Sequence, residues 1–137
     1  MSDWGDALDL AEFVTDWLSI EFEHEVGGER HFEASQQLWL QTSADPFIGY
    51  LLVALVAAST SEARLLAHLG AGPLEDLLRR DPSRFIPLAA SEARANARLR
   101  EALRSVWLSP DDAPSALLEL LVSAVPGWAP LTPKESA

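Results

Sequence analysis

His68-Leu-Gly-Ala-Gly-Pro-Leu-Glu-Asp-Leu-Leu78 places a helix stop, a sharp corner and a helix start within a few residues. Gly70 follows Leu65, Leu66 and Leu69, where a helix ending there calls for a residue tolerant of positive φ, and Gly72 lets the backbone turn with no Cβ in the way. Pro73 suits the first position of a new helix, where a missing N–H costs nothing. Glu75 and Asp76 then put negative charge in that helix's first turn, against its positive end. The stretch reads as the corner of an αα-hairpin, with one helix from about Ser61 to Leu69 and the next from Pro73 to Arg80.

Outward from that corner the apolar spacing is helical on both sides. Leu10, Phe13, Val14, Trp17 and Leu18 recur at intervals of three and four, which predicts an amphipathic helix from about Asp6 to Glu25, ended by Gly27-Gly28. Asp9, Glu12, Asp16, Ser19 and Glu23 line its other face. A second helix, about Phe32 to Thr42, is expected to bury Leu38 and Trp39 and to turn Gln36, Gln37 and Gln41 outward. Asp45-Pro46 supplies an N-cap and a first-turn proline for the run Phe47 to Ala58, in which Gly49 permits close approach of another helix.

Asp81-Pro82-Ser83 repeats the cap-plus-proline arrangement, and Pro87 limits the regularity of the next turn. From about Ala90, the residues Ala95, Leu99, Ala102, Leu103, Val106 and Trp107 predict one long helix whose other face carries Arg94, Arg98, Arg100 and Arg104. Like charges at i,i+4 on that face call for an acidic neighbour, which the first helix offers. A last helix, Ser115 to Val125, carries Leu117, Leu118, Leu120, Leu121 and Val122 with Glu119 as its one charge. Ser19 to Val26 is the nearest thing to strand alternation and reads better as helix continuation. The expected fold is all-α: one domain over residues 1–128, six or seven helices in an irregular bundle of αα-hairpins, and an extended tail, 129–137.

At 137 residues the chain is about the size of one domain and large enough for a core without staples. It has no cysteine, which removes disulfide frameworks, thiol nucleophiles and thiolate zinc sites together. Met-Ser-Asp-Trp-Gly-Asp lacks the basic start and apolar run of a secretory signal. The longest uncharged apolar run, Phe47 to Ala58, has 12 residues against the ~20 that cross a bilayer. A cytoplasmic location without membrane association is expected. Residues 1–33 hold ten acids and one base, −9 of the net −11, while residues 62–107 hold six acids and eight arginines. So acidic a chain is a poor direct binder of nucleic acid. It is better suited to a basic protein, because complementary charge speeds encounter and suppresses wrong partners.

Few residues suggest chemistry. Glu21 and His24 form a Glu-x-x-His spacing that on a helix puts two metal ligands on one face, with Glu25 beside them. The simpler reading is a solvated acidic face, and the same holds for Glu29, His31 and Glu33. His68, near a helix end, is expected to serve as a cap or surface group. Gly-Ala-Gly-Pro lacks the following Lys-Ser/Thr of a phosphate loop, and Glu75 and Asp76 would repel an anion there. No cofactor or metal is expected. Of the five tryptophans, Trp17, Trp39 and Trp107 are expected in the core, while Trp4 and Trp128 close it or anchor a partner.

Leu69-Gly-Ala-Gly-Pro-Leu-Glu-Asp-Leu-Leu78, followed by Ser105-Val-Trp107, resembles a signature shared by a family of small uncharacterised bacterial proteins, over roughly residues 10 to 108. The resemblance implies a bacterial origin and a compact helical fold, and no activity. In size and charge the chain is also similar to the immunity proteins that block bacterial toxins by covering the active site. The function expected is therefore a non-enzymatic interaction module, an immunity-like inhibitor or adaptor. It binds a basic protein, a toxin being one candidate, through Asp9, Glu12, Asp16, Glu23 and Glu25, with an exposed aromatic as anchor. Two alternatives stand beside it. One is a metal-dependent helical enzyme using Glu21, His24 and Glu25, the other a structural homodimer formed through the apolar last helix.

Overall fold

The computed structural model describes residues 9–21, 26–27 and 29–131, and the chain divides into two units between Ser59 and Thr60. The first unit opens with helix α1, Leu10–Trp17, capped by Asp9, whose carboxylate accepts the Glu12 N–H at 3.1 Å. Phe13 and Trp17 on its apolar stripe are buried, Val14 and Leu18 half-buried, and Leu10 is exposed. The helix does not continue to Glu25. Both the N–H and the hydroxyl of Ser19 turn back onto the Asp16 carbonyl, a local bond that competes with the helical ladder. The backbone then becomes extended, and β1, Ile20–Glu21, pairs antiparallel with β2, Val26–Gly27, Ile20 opposite Gly27 and Glu21 opposite Val26.

Helix α2 spans Glu29–Ala44 and so starts before the expected Phe32. Helix α3, Pro46–Ala58, starts as its sequence predicts: Asp45 accepts the Phe47 N–H at 3.0 Å, and Pro46 sits in the first turn. The two helices meet where Gly49 faces Thr42, since a Cβ on Gly49 would overlap the Thr42 side chain. That is the close approach expected of this glycine. α1 packs against α2, with a smaller contact to α3.

The second unit overturns the predicted hairpin corner. Helix α4, Ala63–Leu69, passes through a π turn, Gly70–Leu74, into helix α5, Glu75–Arg80, without leaving the helical path. Gly70 has φ −66° and ψ −46°, ordinary right-handed values. What it needs is the absence of a side chain: a Cβ there would overlap the backbone carbonyl of Ala102. Pro73 lies inside the π turn and not at a helix start. The wide i→i+5 turn, closed by the Glu75 N–H on the Gly70 carbonyl, leaves room for the ring that an α-helical turn denies it. Among the described residues the one glycine with positive φ is Gly127, at 87°.

Helix α6, Pro82–Ala93, tolerates Pro87 in its interior. The long helix expected from Ala90 to Trp107 is broken after Ala93. Asn96 leaves the helical region and caps helix α7, Ala97–Leu103, its side-chain oxygen accepting the N–H groups of Arg98 and Leu99 at 3.1 Å each. Asn at an N-cap satisfies donors that a continuous helix would have satisfied through its own carbonyls. Helix α8, Ser115–Ala124, ends within a residue of its expected limit. α8 packs on α6 and α7 packs on α4, so Leu118, Leu121 and Ala124 are buried inside this unit. The arginine face of α7 finds partners at home: Arg100 donates to the Ala93 carbonyl at 2.9 Å, and Arg104 to Glu101 and the Pro126 carbonyl. The fold is all-α, as expected.

Candidate functional site

Helix α2 has two faces, and apart from Leu38 its large apolar side chains are on the outer one. His31, Ala34, Leu38 and Thr42, at helical spacing, are buried. Phe32, Trp39 and Leu40 are 59%, 60% and 54% exposed. The expectation that Trp39 lies in the core is wrong. Leu38 and Trp39 are consecutive, and about 100° of helical rotation separates them, so burying one turns the other away. The inward face combines Leu38 and His31 with the smaller Ala34 and Thr42, and it admits α3 closely where Gly49 meets Thr42. Phe32, Ser35, Gln36, Trp39 and Leu40 together line a surface hollow of about 330 Å³. A hollow walled by a single helix does not enclose a small molecule, but it can accept side chains from another protein.

The first unit is strongly acidic. Residues 1–59 hold eleven acids and the single base Arg30. Arg30 is itself engaged, its guanidinium 2.7 Å from Asp16. Of the residues expected to meet a partner, Asp9 is exposed but serves as the cap of α1, Glu12 is exposed, and Asp16 is half-buried in its ion pair. Glu23 and Glu25 lie outside the described residues. Glu29 and Glu33, on α2 itself, are exposed. The signal for the outer face is present in the sequence as Phe32, Trp39 and Leu40 at i, i+7 and i+8, a stripe of its own.

α1 is fastened to α2 by a buried histidine. His31, 7% exposed, places Nδ1 2.6 Å from the Trp17 carbonyl and Nε2 3.1 Å from the Ser35 hydroxyl. A carbonyl only accepts, so Nδ1 carries the proton and Nε2 takes the hydroxyl's hydrogen. The ring also meets the Trp17 indole edge-on, with centroids 5.0 Å apart. Burial lowers the His31 pKa below its usual 6.5 and outweighs the bond to Trp17, which acts in the opposite direction.

The remaining candidates separate. Glu21 lies in β1 and not on a helix, so the helical Glu-x-x-His spacing does not exist there, and His24 and Glu25 lie outside the described residues. Among the described residues no three potential metal ligands gather, and no helix is long and apolar enough to cross a membrane. His68 is exposed in the last turn of α4, but the helical path continues beyond it. Trp17 and Trp128 are buried, the latter with its indole N–H on the Val106 carbonyl at 2.8 Å. Trp4 lies outside the described residues.

Trp107, expected in the core, is 64% exposed. Its backbone is held from both sides, the N–H donating to Glu75 at 2.6 Å and the carbonyl accepting from Arg79 at 2.9 Å. The run at Leu69–Leu78 and the distant Ser105-Val-Trp107 thus meet in space.

No curated protein and no solved structure matches the chain. A family of unknown function, DUF6869, matches residues 23–116, a span that takes in α2 to α7 and begins after α1. Over that span, more than two-thirds of its length, the chain belongs to DUF6869.

Proposed function

We propose that the chain is a non-enzymatic interaction module, an inhibitor or adaptor that covers a surface of a basic protein with the outer face of α2. Phe32, Trp39 and Leu40 are the anchors, and Glu12, Glu29 and Glu33 supply complementary charge. The observation that carries this reading is the placement of three large apolar side chains on the solvent side of one helix, in a unit with eleven acids and one base. Each is more than half exposed, and covering it would contribute about 1–2 kcal/mol to binding. The stripe runs about 12 Å along the helix, enough for two turns of a partner helix or a short strand. The acids favour a cationic partner and disfavour nucleic acid and anionic lipid alike.

The test separates charge from structure. Glu12→Lys with Glu33→Lys reverses two exposed carboxylates that neither cap a helix nor pair with Arg30. The variant is expected to lose its partner, or to bind it with a strongly reduced association rate, while its helical circular dichroism is unchanged. Reversing Asp9 or Asp16 instead would remove the α1 cap or the Arg30 pair and confuse the two effects. Undiminished binding by the double variant would overturn the electrostatic part of the reading.

A further inference from the structure

We propose that the occupant of the α2 outer face is an amphipathic α-helix of the basic partner, seated by an apolar side chain in the hollow between Phe32 and Trp39 and by lysines or arginines along one flank. The inference rests on the docking reading above and names the element the partner presents. Phe32, Ser35, Gln36 and Trp39, which line the hollow, stand at i, i+3, i+4 and i+7. Four residues at that spacing frame the hole into which a facing helix inserts one side chain. Phe32 and Trp39 close its ends, about 10 Å apart along the axis, and the shorter Ser35 and the flexible Gln36 form its sides. Gln36, Trp39, Leu40 and Ser43 repeat the spacing four residues on, and all four are exposed. Two successive holes call for apolar side chains one turn apart on the partner helix.

An added strand would find no backbone to pair with here. Strand addition draws its affinity from main-chain bonds at an open sheet edge, whereas α2 is helical from Glu29 to Ala44 and uses its interior N–H and C=O groups in its own turns. A helix arrives with its backbone already satisfied. Charge then chooses among helices. At about 100° per residue, Glu29, Glu33 and Leu40 fall within about 40° of one another around the axis. Both exposed carboxylates, one turn apart, therefore lie on a single flank of the apolar stripe. The base on α2, Arg30, is held by Asp16. A partner helix with Lys or Arg at i and i+4 beside its apolar stripe meets the two acids, and a helix with acids there is repelled.

Two synthetic peptides of about 14 residues, four helical turns, test this with one shared composition of leucine, lysine, alanine and glutamine. One sets leucine at helical spacing with lysine along one flank, and the other alternates apolar and polar residues. Each is titrated into the full chain labelled with nitrogen-15. The first is expected to shift the amides of residues 32, 35, 36, 39, 40 and 43 together with the Trp39 indole, and to lose about tenfold in affinity when its lysines become glutamates. Gln36→Trp fills the hollow, adds exposed apolar surface and leaves the charge unchanged, so a shaped hole loses about tenfold where a merely sticky face gains. No shift at those residues, equal binding by the alternating peptide, or undiminished binding by Gln36→Trp overturns the proposal. If that variant fails to fold, the two peptides decide alone. The same shifts on concentrating the chain by itself would assign the face to a second copy and also overturn it. A photo-crosslink from position 39 to a basic protein would still support docking after a failure with the peptides, which keeps the two failures apart.

Discussion

The Glu75 carboxylate accepts the backbone N–H of Trp107 at 2.6 Å across 32 residues of sequence. Glu75 also lies 3.5 Å from Arg79, which holds the Trp107 carbonyl, so one acid and one arginine of α5 fix both backbone groups of a residue whose indole faces solvent. On the far side the Trp128 indole holds the Val106 carbonyl, and the Leu131 N–H donates to Leu108. The irregular segment between α7 and α8 therefore satisfies its backbone through local turns, side chains and the C-terminal stretch of chain.

Glu75→Ala removes the charged acceptor from a side chain only 17% exposed. A loss of about 1–2 kcal/mol is expected, the exposure of Trp107 keeping the figure at the low end for charge-assisted bonds. Glu75→Gln keeps an acceptor and recovers part of it. Urea midpoints of the three proteins measure both effects.

The two glycines of the π turn make opposite predictions. Gly70→Ala forces a Cβ into the Ala102 backbone and should destabilise by about 2 kcal/mol or more. Gly72 has open space where its Cβ would lie and no positive φ, so Gly72→Ala should stabilise by about 0.5–1 kcal/mol. Thermal denaturation distinguishes them. A true hairpin corner would lose stability at both positions.

These same residues show what is legible in the sequence. Asp45-Pro46 and the run after it predict their helix correctly because the cap, the proline and the apolar stretch act locally and agree. Gly70 and Pro73 mislead because a glycine that admits a neighbouring backbone and one that adopts positive φ are the same letter, and the neighbour here, Ala102, is far along the chain. The outer face of α2 is hidden because hydrophobicity alone assigns Trp39 to the core. Beside Leu38 the buried face uses His31, Ala34 and Thr42, residues whose burial is not announced by large apolar size.

The Asn96 cap explains why the arginine-rich stretch is two helices. Asn96→Ala leaves the Arg98 and Leu99 N–H groups without their acceptor and is expected to cost about 1 kcal/mol. Asn96→Asp should hold stability near the wild-type value. Denaturant midpoints check both.

Global stability should depend on His31 in one direction. Its pKa in the folded state lies below the 6.5 of the unfolded chain, so in the window beneath 6.5 the unfolded state binds more protons. The stabilisation is fully present above that window and is lost as the pH falls through it. The urea midpoint should therefore drop between pH 7.5 and 5.5 in the wild type by more than in His31→Gln, and equal drops would contradict the assignment.

The docking face is tested most directly by placing a photo-crosslinking amino acid at position 39, irradiating living cells and identifying the adduct by mass spectrometry. One discrete adduct to a protein with a basic surface is expected, absent when Glu12 and Glu33 are reversed to lysine and absent when the crosslinker stands instead at exposed Glu119 of α8. No adduct from position 39, an adduct to an acidic protein, or one that survives the charge reversal would contradict it.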